Sequence, residues 1–222
     1  IPVSVADEVG NVSTEMLTIK LDNPSPHLDP APPDENFNGS TLDPSKWQTQ
    51  INGGGTVRQD GKLILNVPSA PANANMMAVS TWAFPGDFDI KVDFQIGQGW
   101  SAPGQDHLDG GMFGVTINGQ TYHITRLRSG NQDCFFAWSN QGTLTRNWPT
   151  TVTSGKYRLV RVGTNLFLLY DAGDGWRLLD SVAVLAGPAQ VYMGAGSVNA
   201  AQAFTTYFDN FKINSGLTSY KP

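Results

Sequence analysis

Residues 156–180 read KYRLVRVGTNLFLLYDAGDGWRLLD, and this stretch decides the fold of the chain. The segments 157–162 and 166–170 are rich in Tyr, Leu, Val and Phe, the residues that favour strands. Glycine-bearing sequences at 163–165 and 173–175 interrupt them. Because side chains alternate between faces along a strand and glycine tolerates tight hairpin turns, the stretch predicts three consecutive antiparallel strands.

Composition agrees with an all-β protein. The 222 residues suffice for one β-sandwich of roughly 180–200 residues and a small element at one end. The 24 glycines and 14 prolines suit many turns, and a charged fraction of 15% is low for a helical protein. The net charge of -5 argues against nucleic acid or an anionic membrane surface as partner. No apolar run approaches the roughly 18 residues of a membrane span, so we expect no membrane insertion.

The only cysteine, Cys134, excludes an intramolecular disulfide, and its neighbours predict a buried strand residue. Disulfide-free, acidic and charge-poor β-proteins are common on bacterial surfaces, so we expect a secreted or cell-surface location. The chain starts at Ile1, and we expect a processed or excised piece with flanking domains in a larger protein.

The chain divides into four parts. Residues 1–29 contain VSV and LTIKL around a turn at 8–11, which predicts an N-terminal hairpin. Residues 30–36 form a proline-rich linker. Residues 37–214 carry regular strand signals, and 215–222 are expected to be a tail. The segments ADEVGNVS and TIKLDNPSP resemble the last hairpin of bacterial immunoglobulin-like repeats.

Runs with strand character follow one another through the main part. The predicted strands are 47–51, 55–59, 62–67, 76–84, 88–96, 111–117, 121–128, 134–139, 157–162, 166–171, 176–182, 190–195 and 204–213. Turn pairs such as Asp60-Gly61 and Asn118-Gly119 separate several of them.

Five pieces in order carry a family resemblance: FNGSTLDPSKWQ, TVRQDGKLILNV, FDIKVDFQI, the KYRLVRVGTNLFLLY hairpin and YFDNFKI. Together they resemble the concanavalin A-like jelly rolls of the laminin G and glucanase type. The resemblance implies a sandwich of two antiparallel sheets. It also implies that Phe37 and Trp47 pack against the final strand.

Glycosidases of this fold carry E-x-D-x-x-E on a strand after the mid-chain loop, with two carboxylates about 5.5 Å apart. The corresponding strand here, 110–117, reads GGMFGVTI and contains no acid. Related jelly rolls have Tyr-Glu on the next strand, where this chain has Tyr122-His123. The resemblance therefore gives no support to retaining glycosidase chemistry, although it does not decide whether the chain is an enzyme.

The loop GQGWSAPGQDHLDGG offers several candidate ligand-binding residues: Trp100, Asp106, His107 and Asp109. A glycine-rich loop with these polar groups would suit a metal ion or a sugar, and the alternative is a solvated surface loop. Trp148, beside Asn147 and Pro149, is a second candidate loop aromatic for a binding cleft.

His123, Arg126 and Trp138 form the other candidate site, with Phe136 nearby. On one concave face, an aromatic ring and polar donors would make a platform for a sugar. The alternatives are a hydrogen-bonded structural histidine and aromatic residues of the sandwich core.

The resemblance also implies a structural Ca²⁺ that joins the final strand to the opening of the domain. Asp209 and Gly61 match two of its ligand positions. The alternative is that Asp209 bonds nearby amides at a bend.

Three functions remain open at this point. The first is a non-catalytic carbohydrate-binding or adhesion module whose partner is a polysaccharide or other glycan. The second is a polysaccharide-active hydrolase or lyase with an unfamiliar site around Asp106, Asp109 and His123. The third is a structural spacer between repeats.

Overall fold

The structure is a computed structural model of the chain. It describes the backbone of residues 2–6, 12–16, 34–69, 73–99, 107–129, 132–198, 202–216 and 219–220. Side chains are described for residues 34–69, 73–99, 110–129, 132–198 and 202–216.

Every regular element in the described residues is a strand. In chain order they are β1 Pro2–Ala6, β2 Val12–Met16, β3 Trp47–Asn52, β4 Thr56–Gln59, β5 Leu63–Val67, β6 Ala74–Phe84, β7 Phe88–Ile96, β8 His107–Ile117, β9 Gln120–Ser129, β10 Gln132–Ser139, β11 Asn147–Pro149, β12 Ser154–Val162, β13 Asn165–Asp171, β14 Trp176–Ala183, β15 Ala189–Val198, β16 Phe204–Gly216 and β17 Ser219–Tyr220.

The strands form two large antiparallel sheets that pack face to face. The eight-stranded sheet has the order β11-β10-β9-β8-β15-β6-β17, with β3 also paired to β6. The seven-stranded sheet has the order β14-β13-β12-β7-β16-β5-β4. The predicted all-β jelly-roll sandwich is confirmed.

The meander that decided the fold is present as predicted. β12 pairs antiparallel with β13, and β13 pairs with β14. The turns between them contain Gly163 at φ 57° and Gly173 at φ 111°, in the left-handed region that favours glycine.

The core lies between the sheets, where alternate side chains of both meet. Phe37 and Trp47 are buried, and the Trp47 ring lies edge-on to Phe211 of β16 at 5.5 Å between centroids. The predicted packing of Trp47 against the final strand is confirmed, and the Phe37 ring lies 6.0 Å from that of Trp47. Cys134 is buried, as its neighbours indicated.

The sandwich extends further along the chain than the sequence predicted. Glu35 forms a bridge with Phe211, and the Asp34 carboxylate accepts a hydrogen bond from the Ile213 amide at 3.1 Å. At the other end, β16 continues to Gly216 and β17 pairs with β6. The end of the predicted linker and part of the predicted tail therefore belong to the sheets.

The N-terminal strands β1 and β2 pair with each other in a separate two-stranded sheet. The LTIKL run is the predicted second strand of this hairpin. The observed second strand, β2, precedes that run, which lies outside the described residues. That the hairpin is an independent appendage, and that it ends an immunoglobulin-like repeat, stay predictions.

We expect a chain that starts at Asp34 to remain folded, because the sandwich then keeps both large sheets and the contacts of residues 34 and 35. Its Tm should lie within about 2 °C of that of the full chain, measured by circular dichroism. A chain that starts at Phe37 is the control. It loses the bridge to Phe211 and should melt a few degrees lower, at roughly 1 kcal/mol per hydrogen bond. Aggregation of the Asp34 chain would show that the hairpin completes the fold.

Candidate functional site

A cleft of about 640 Å³ lies on the face of the eight-stranded sheet that is turned away from the core. Strands β3, β6, β8, β9, β10 and β15 contribute its walls. Along β6 the lining residues Asn75, Met77 and Val79 alternate with the core residues Met76 and Ala78. The alternation of a strand therefore places one set of side chains in the core and the other in the cleft.

The floor of the cleft is apolar. Val79 of β6, Met112 of β8 and Tyr192 of β15 form a buried cluster apart from the main core, and Met77 packs against it. The floor offers flexible thioether and aliphatic surface that accommodates apolar parts of a ligand.

One wall of the cleft is aromatic. His123 of β9 and Trp138 of β10 face each other across the strand pair, with ring centroids 4.9 Å apart and planes at 17°. His123 Nδ1 lies 2.8 Å from the Tyr192 hydroxyl. His123 is 8% exposed and Trp138 is 37% exposed. The buried imidazole thus supports one face of the indole, and the indole remains partly exposed to solvent.

Most of the remaining described lining of the cleft is polar and uncharged. Amides and hydroxyls line it: Gln50, Asn73, Asn75, Thr116, Thr121, Gln190 and Ser197. None of the described lining residues is Asp, Glu, Lys or Arg. The described surface can exchange hydrogen bonds with hydroxyls, but it supplies no carboxylate or permanent cation.

The structure brings His123 and Trp138 together, as the sequence suggested, and adds Phe136 to the cleft lining. Phe135, the neighbour of Phe136, is buried in the core instead. The role of His123 and Trp138 in binding stays a prediction. Sequence reasoning missed Met77, Met112 and Tyr192, whose only signal was alternate positions on predicted strands.

Arg126 does not belong to this site. It is 0% exposed, and its guanidinium donates to the carbonyls of Val152 at 2.7 Å and Thr150 at 2.9 Å. It also donates to the Cys134 carbonyl at 3.2 Å and forms an ion pair with Asp133. Arg126 is three residues from His123 along β9, so the two side chains project to opposite faces. The predicted grouping of Arg126 with the glycan platform is wrong.

Trp148 is also outside the cleft. It lies on the edge strand β11, opposite Phe135 of β10, and is 51% exposed. The Arg177 guanidinium lies 5.9 Å from its ring centroid. The prediction that Trp148 lines the cleft is wrong, because the residue lies at the sheet edge.

The remaining candidates lie at or beyond the limit of the described residues. Trp100 and Asp106 are outside them. His107 and Asp109 belong to β8, opposite Val198 and Gly196 of β15, and not to a loop as predicted. Their side chains are outside the described set.

The predicted calcium ligands lie near the same end of the β5–β16 pair, where Phe208 is opposite Leu63. Asp209 Oδ1 accepts the Asn210 amide at 2.7 Å. The Gly61 amide donates to the Gly39 carbonyl at 3.2 Å. No group of three or more His, Cys, Asp or Glu side chains suited to a metal occurs in the described residues.

Calcium prefers about six to eight oxygen ligands, and Asp209 and Gly61 supply two of the positions that the resemblance implies. The structural Ca²⁺ stays a prediction from the resemblance. Chelated protein melted with and without millimolar calcium tests it. An ion that binds only the folded state raises the Tm, and an unchanged Tm would remove the site.

Within the described part of the chain, there is no helix of the length and apolarity that a membrane span requires.

No protein-family profile matches the sequence, and no curated protein matches it. Solved structures do match. One is a putative β-glucanase from Mycobacterium abscessus, with a TM-score of 0.58 and 11% identity, covering 81% of this chain and 98% of that one. Another is a pseudo β-1,3-glucanase of Mycobacterium tuberculosis, with a TM-score of 0.51 and 14% identity, covering 80% and 97%.

A third is the LamA protein of Zobellia galactanivorans in complex with laminaritriose and laminaritetraose, with a TM-score of 0.57 and 12% identity, covering 81% and 96%. Identities this low show a common fold and leave the function to the site itself. The chain has the jelly-roll fold of the glucanase-type β-sandwich proteins.

Proposed function

We propose that the chain is a non-catalytic carbohydrate-binding or adhesion module and that the cleft of the eight-stranded sheet holds a glycan. The observation that carries the proposal is the partly exposed ring of Trp138, stacked on His123, in a cleft lined by uncharged amides and hydroxyls. An aromatic face suits the C–H face of a pyranose, and the amides and hydroxyls suit its hydroxyls.

The residues around Trp138 have distinct parts in this binding. His123 supports the indole ring, and the Tyr192 hydroxyl is within hydrogen-bond distance of the imidazole. Fixing the ring before a ligand arrives lowers the entropy lost on binding. Thr121 and Gln190 line the cleft, where the Thr121 hydroxyl and the Gln190 amide oxygen can exchange hydrogen bonds with sugar hydroxyls.

Residues 110–117 of β8 contain no acid, which supports a role in binding without hydrolysis. The strand contributes Met112 and Thr116 to the cleft, with Gly114 between them. A retaining glycosidase needs two carboxylates about 5.5 Å apart at the scissile bond. The described part of the cleft offers neither. Among the similar structures, the name pseudo β-1,3-glucanase and a complex with laminari-oligosaccharides support testing β-glucan oligosaccharides first.

We further propose that the module works outside the cell, on a bacterial surface or as part of a secreted protein. The acidic charge of -5 and the low charged fraction of 15% support that setting.

The test is a glycan array probed with the purified chain, with and without a chelator, followed by titration calorimetry and product analysis. We expect saturable binding of at least one neutral glycan, with the glycan recovered intact. If the chain cleaves a glycan and Asp109→Asn abolishes that cleavage, the hydrolase or lyase alternative replaces the proposal. Absence of binding across the array would leave the spacer alternative.

A further inference from the structure

The middle of the cleft floor is covered by side chains that lie over two glycines. Gly194 of β15 is opposite Met112 of β8, and Tyr192 is opposite Gly114. A β-carbon added at Gly194 would lie 3.1 Å from both Met112 Cε and Met77 Cγ, so the two thioether side chains already occupy the space above this glycine. The Tyr192 ring occupies the space above Gly114 in the same way. Because the two glycines carry no side chain, their neighbours can lie across the sheet and close the floor.

The floor is an apolar platform formed by four cleft-lining residues: Met77, Val79, Met112 and Tyr192. The Tyr192 hydroxyl lies 2.8 Å from His123 Nδ1, so its polar atom is already engaged. A thioether sulfur is only a weak hydrogen-bond acceptor and donates nothing. The platform therefore presents methyl, methylene and ring surface, with little to offer a hydroxyl group of a ligand.

Polar side chains lie beside this platform. Gln50 of β3 is directly opposite Met77 of β6. Gln190 and Thr116 are opposite each other, one row of side chains beyond the platform on β15 and β8. The Gln190 Nε2 donates to the Ser80 carbonyl at 2.6 Å, which leaves its Oε1 as an acceptor for a ligand. Hydroxyls of a ligand thus find partners around the platform, and an apolar group of the same ligand fits over it.

The charge of the cleft narrows the ligand further. The described lining contains no Asp, Glu, Lys or Arg, and the chain carries a net charge of -5. An anionic polysaccharide would find no described cation in the cleft and would be repelled by the chain as a whole. The cleft therefore suits an uncharged glycan that carries an apolar group among its hydroxyls.

We propose that the platform binds the methyl group of a neutral methyl-bearing sugar, a 6-deoxyhexose or an O-methylated hexose. The inference rests on the proposed glycan-binding function. The methyl group packs against Met77 and Met112, whose flexible thioethers adapt to its position. The hydroxyl-bearing counterpart of the sugar would lose hydrogen bonds to water over the platform without gaining a partner there. The cleft therefore selects the methyl-bearing sugar over its counterpart.

Titration with two matched pairs of sugars, followed through the methionine ε-methyl signals by nuclear magnetic resonance, tests the inference. L-Fucose is compared with L-galactose, which differs only by a hydroxyl at C6, and 3-O-methyl-D-glucose is compared with D-glucose. We expect the methyl-bearing member of at least one pair to bind about tenfold more tightly than its counterpart. The pair that shows the preference tells a deoxy sugar from an O-methylated one. The signals of Met77 and Met112 should shift saturably, and that of Met193, which is buried in the core, should stay in place.

Substitutions of Met77 probe the platform itself. Met77→Gln keeps the length of the side chain but adds an amide, so the two affinities of the selective pair should come to within about twofold of each other. Met77→Leu keeps the apolar surface and should retain the preference. Leu185→Gln is the matched control, because Leu185 is 54% exposed and lies outside the cleft, and it should alter neither affinity. Thermal melting of each variant verifies that it is folded.

The outcomes separate the inference from the proposed function. Equal or tighter binding of the counterpart in both pairs, or a preference that survives Met77→Gln, would overturn the methyl subsite and leave the glycan-binding cleft in place. Binding to the glycan array without binding of any of the four sugars would do the same. Failure of the chain to bind any of the four sugars or any member of the array would remove both.

Discussion

Replacing Arg126 by methionine should destabilise the sandwich by about 3–5 kcal/mol, the cost of removing one member of a buried ionic and hydrogen-bonded group. For a domain of this size the Tm should fall by roughly 6–20 °C. The side chain is fully buried and donates to the carbonyls of Val152, Thr150 and Cys134. Methionine fills a similar volume without any donor, so these carbonyls lose their partner while the packing changes little.

Arg146→Met is the matched control for this measurement, because the Arg146 side chain is 76% exposed and lies 4.0 Å from Asp180. Exposed ion pairs contribute about 0–1 kcal/mol, so the control should melt close to the wild-type chain. Circular dichroism or calorimetric melting of both variants decides the matter. Equal Tm values for the two variants would show that Arg126 does not secure residues 150–152 against β9 and β10.

The second large effect concerns binding. Trp138→Ala should weaken glycan binding by about 2 kcal/mol or more, roughly a thirtyfold loss of affinity, because it removes the aromatic anchor of the cleft. The indole is 37% exposed and lies outside the main core, so the Tm should change little.

Trp148→Ala is the control, since Trp148 is also an exposed tryptophan but lies on the edge strand β11. It should bind as the wild-type chain does. Calorimetry with the best ligand from the glycan array gives both affinities. A large loss in Trp148→Ala with none in Trp138→Ala would move the binding site to the sheet edge.

Sequence patterns sufficed for the fold because the strands are long and the turns are marked. The predicted strand 88–96 coincides with β7, and the segments 157–162 and 166–171 lie within β12 and β13 with one to three residues added at their N-terminal ends. The edge strand β11 was not predicted, because three residues with asparagine and proline carry no alternation to detect.

The site was only partly predictable, and Arg126 shows one reason. Its odd separation from His123 already placed the two on opposite faces of one strand, so the period-two rule excluded their grouping. The Arg126 guanidinium donates hydrogen bonds to the carbonyls of residues 150 and 152, and no local pattern indicates such distant acceptors.

The other reason concerns which face of a sheet is buried. Phe135 and Phe136 are adjacent aromatics, and only the packing of the second sheet decides that Phe135 enters the core and Phe136 the cleft. Met77 and Asn75 are likewise cleft residues only because Met76 and Ala78 are core. A strand that is apolar on both sides does not reveal its outward face in the sequence.

The most direct test of the glycan-binding cleft is the indole N–H spectrum of the chain, recorded by nuclear magnetic resonance during titration with the best neutral oligosaccharide from the array. Assignment by single substitution identifies the signals of Trp138 and Trp148. A glycan in the cleft should shift the Trp138 signal saturably and leave the Trp148 signal in place. A saturable shift of Trp148 with Trp138 unchanged, or no shift of either at millimolar oligosaccharide, would contradict the account.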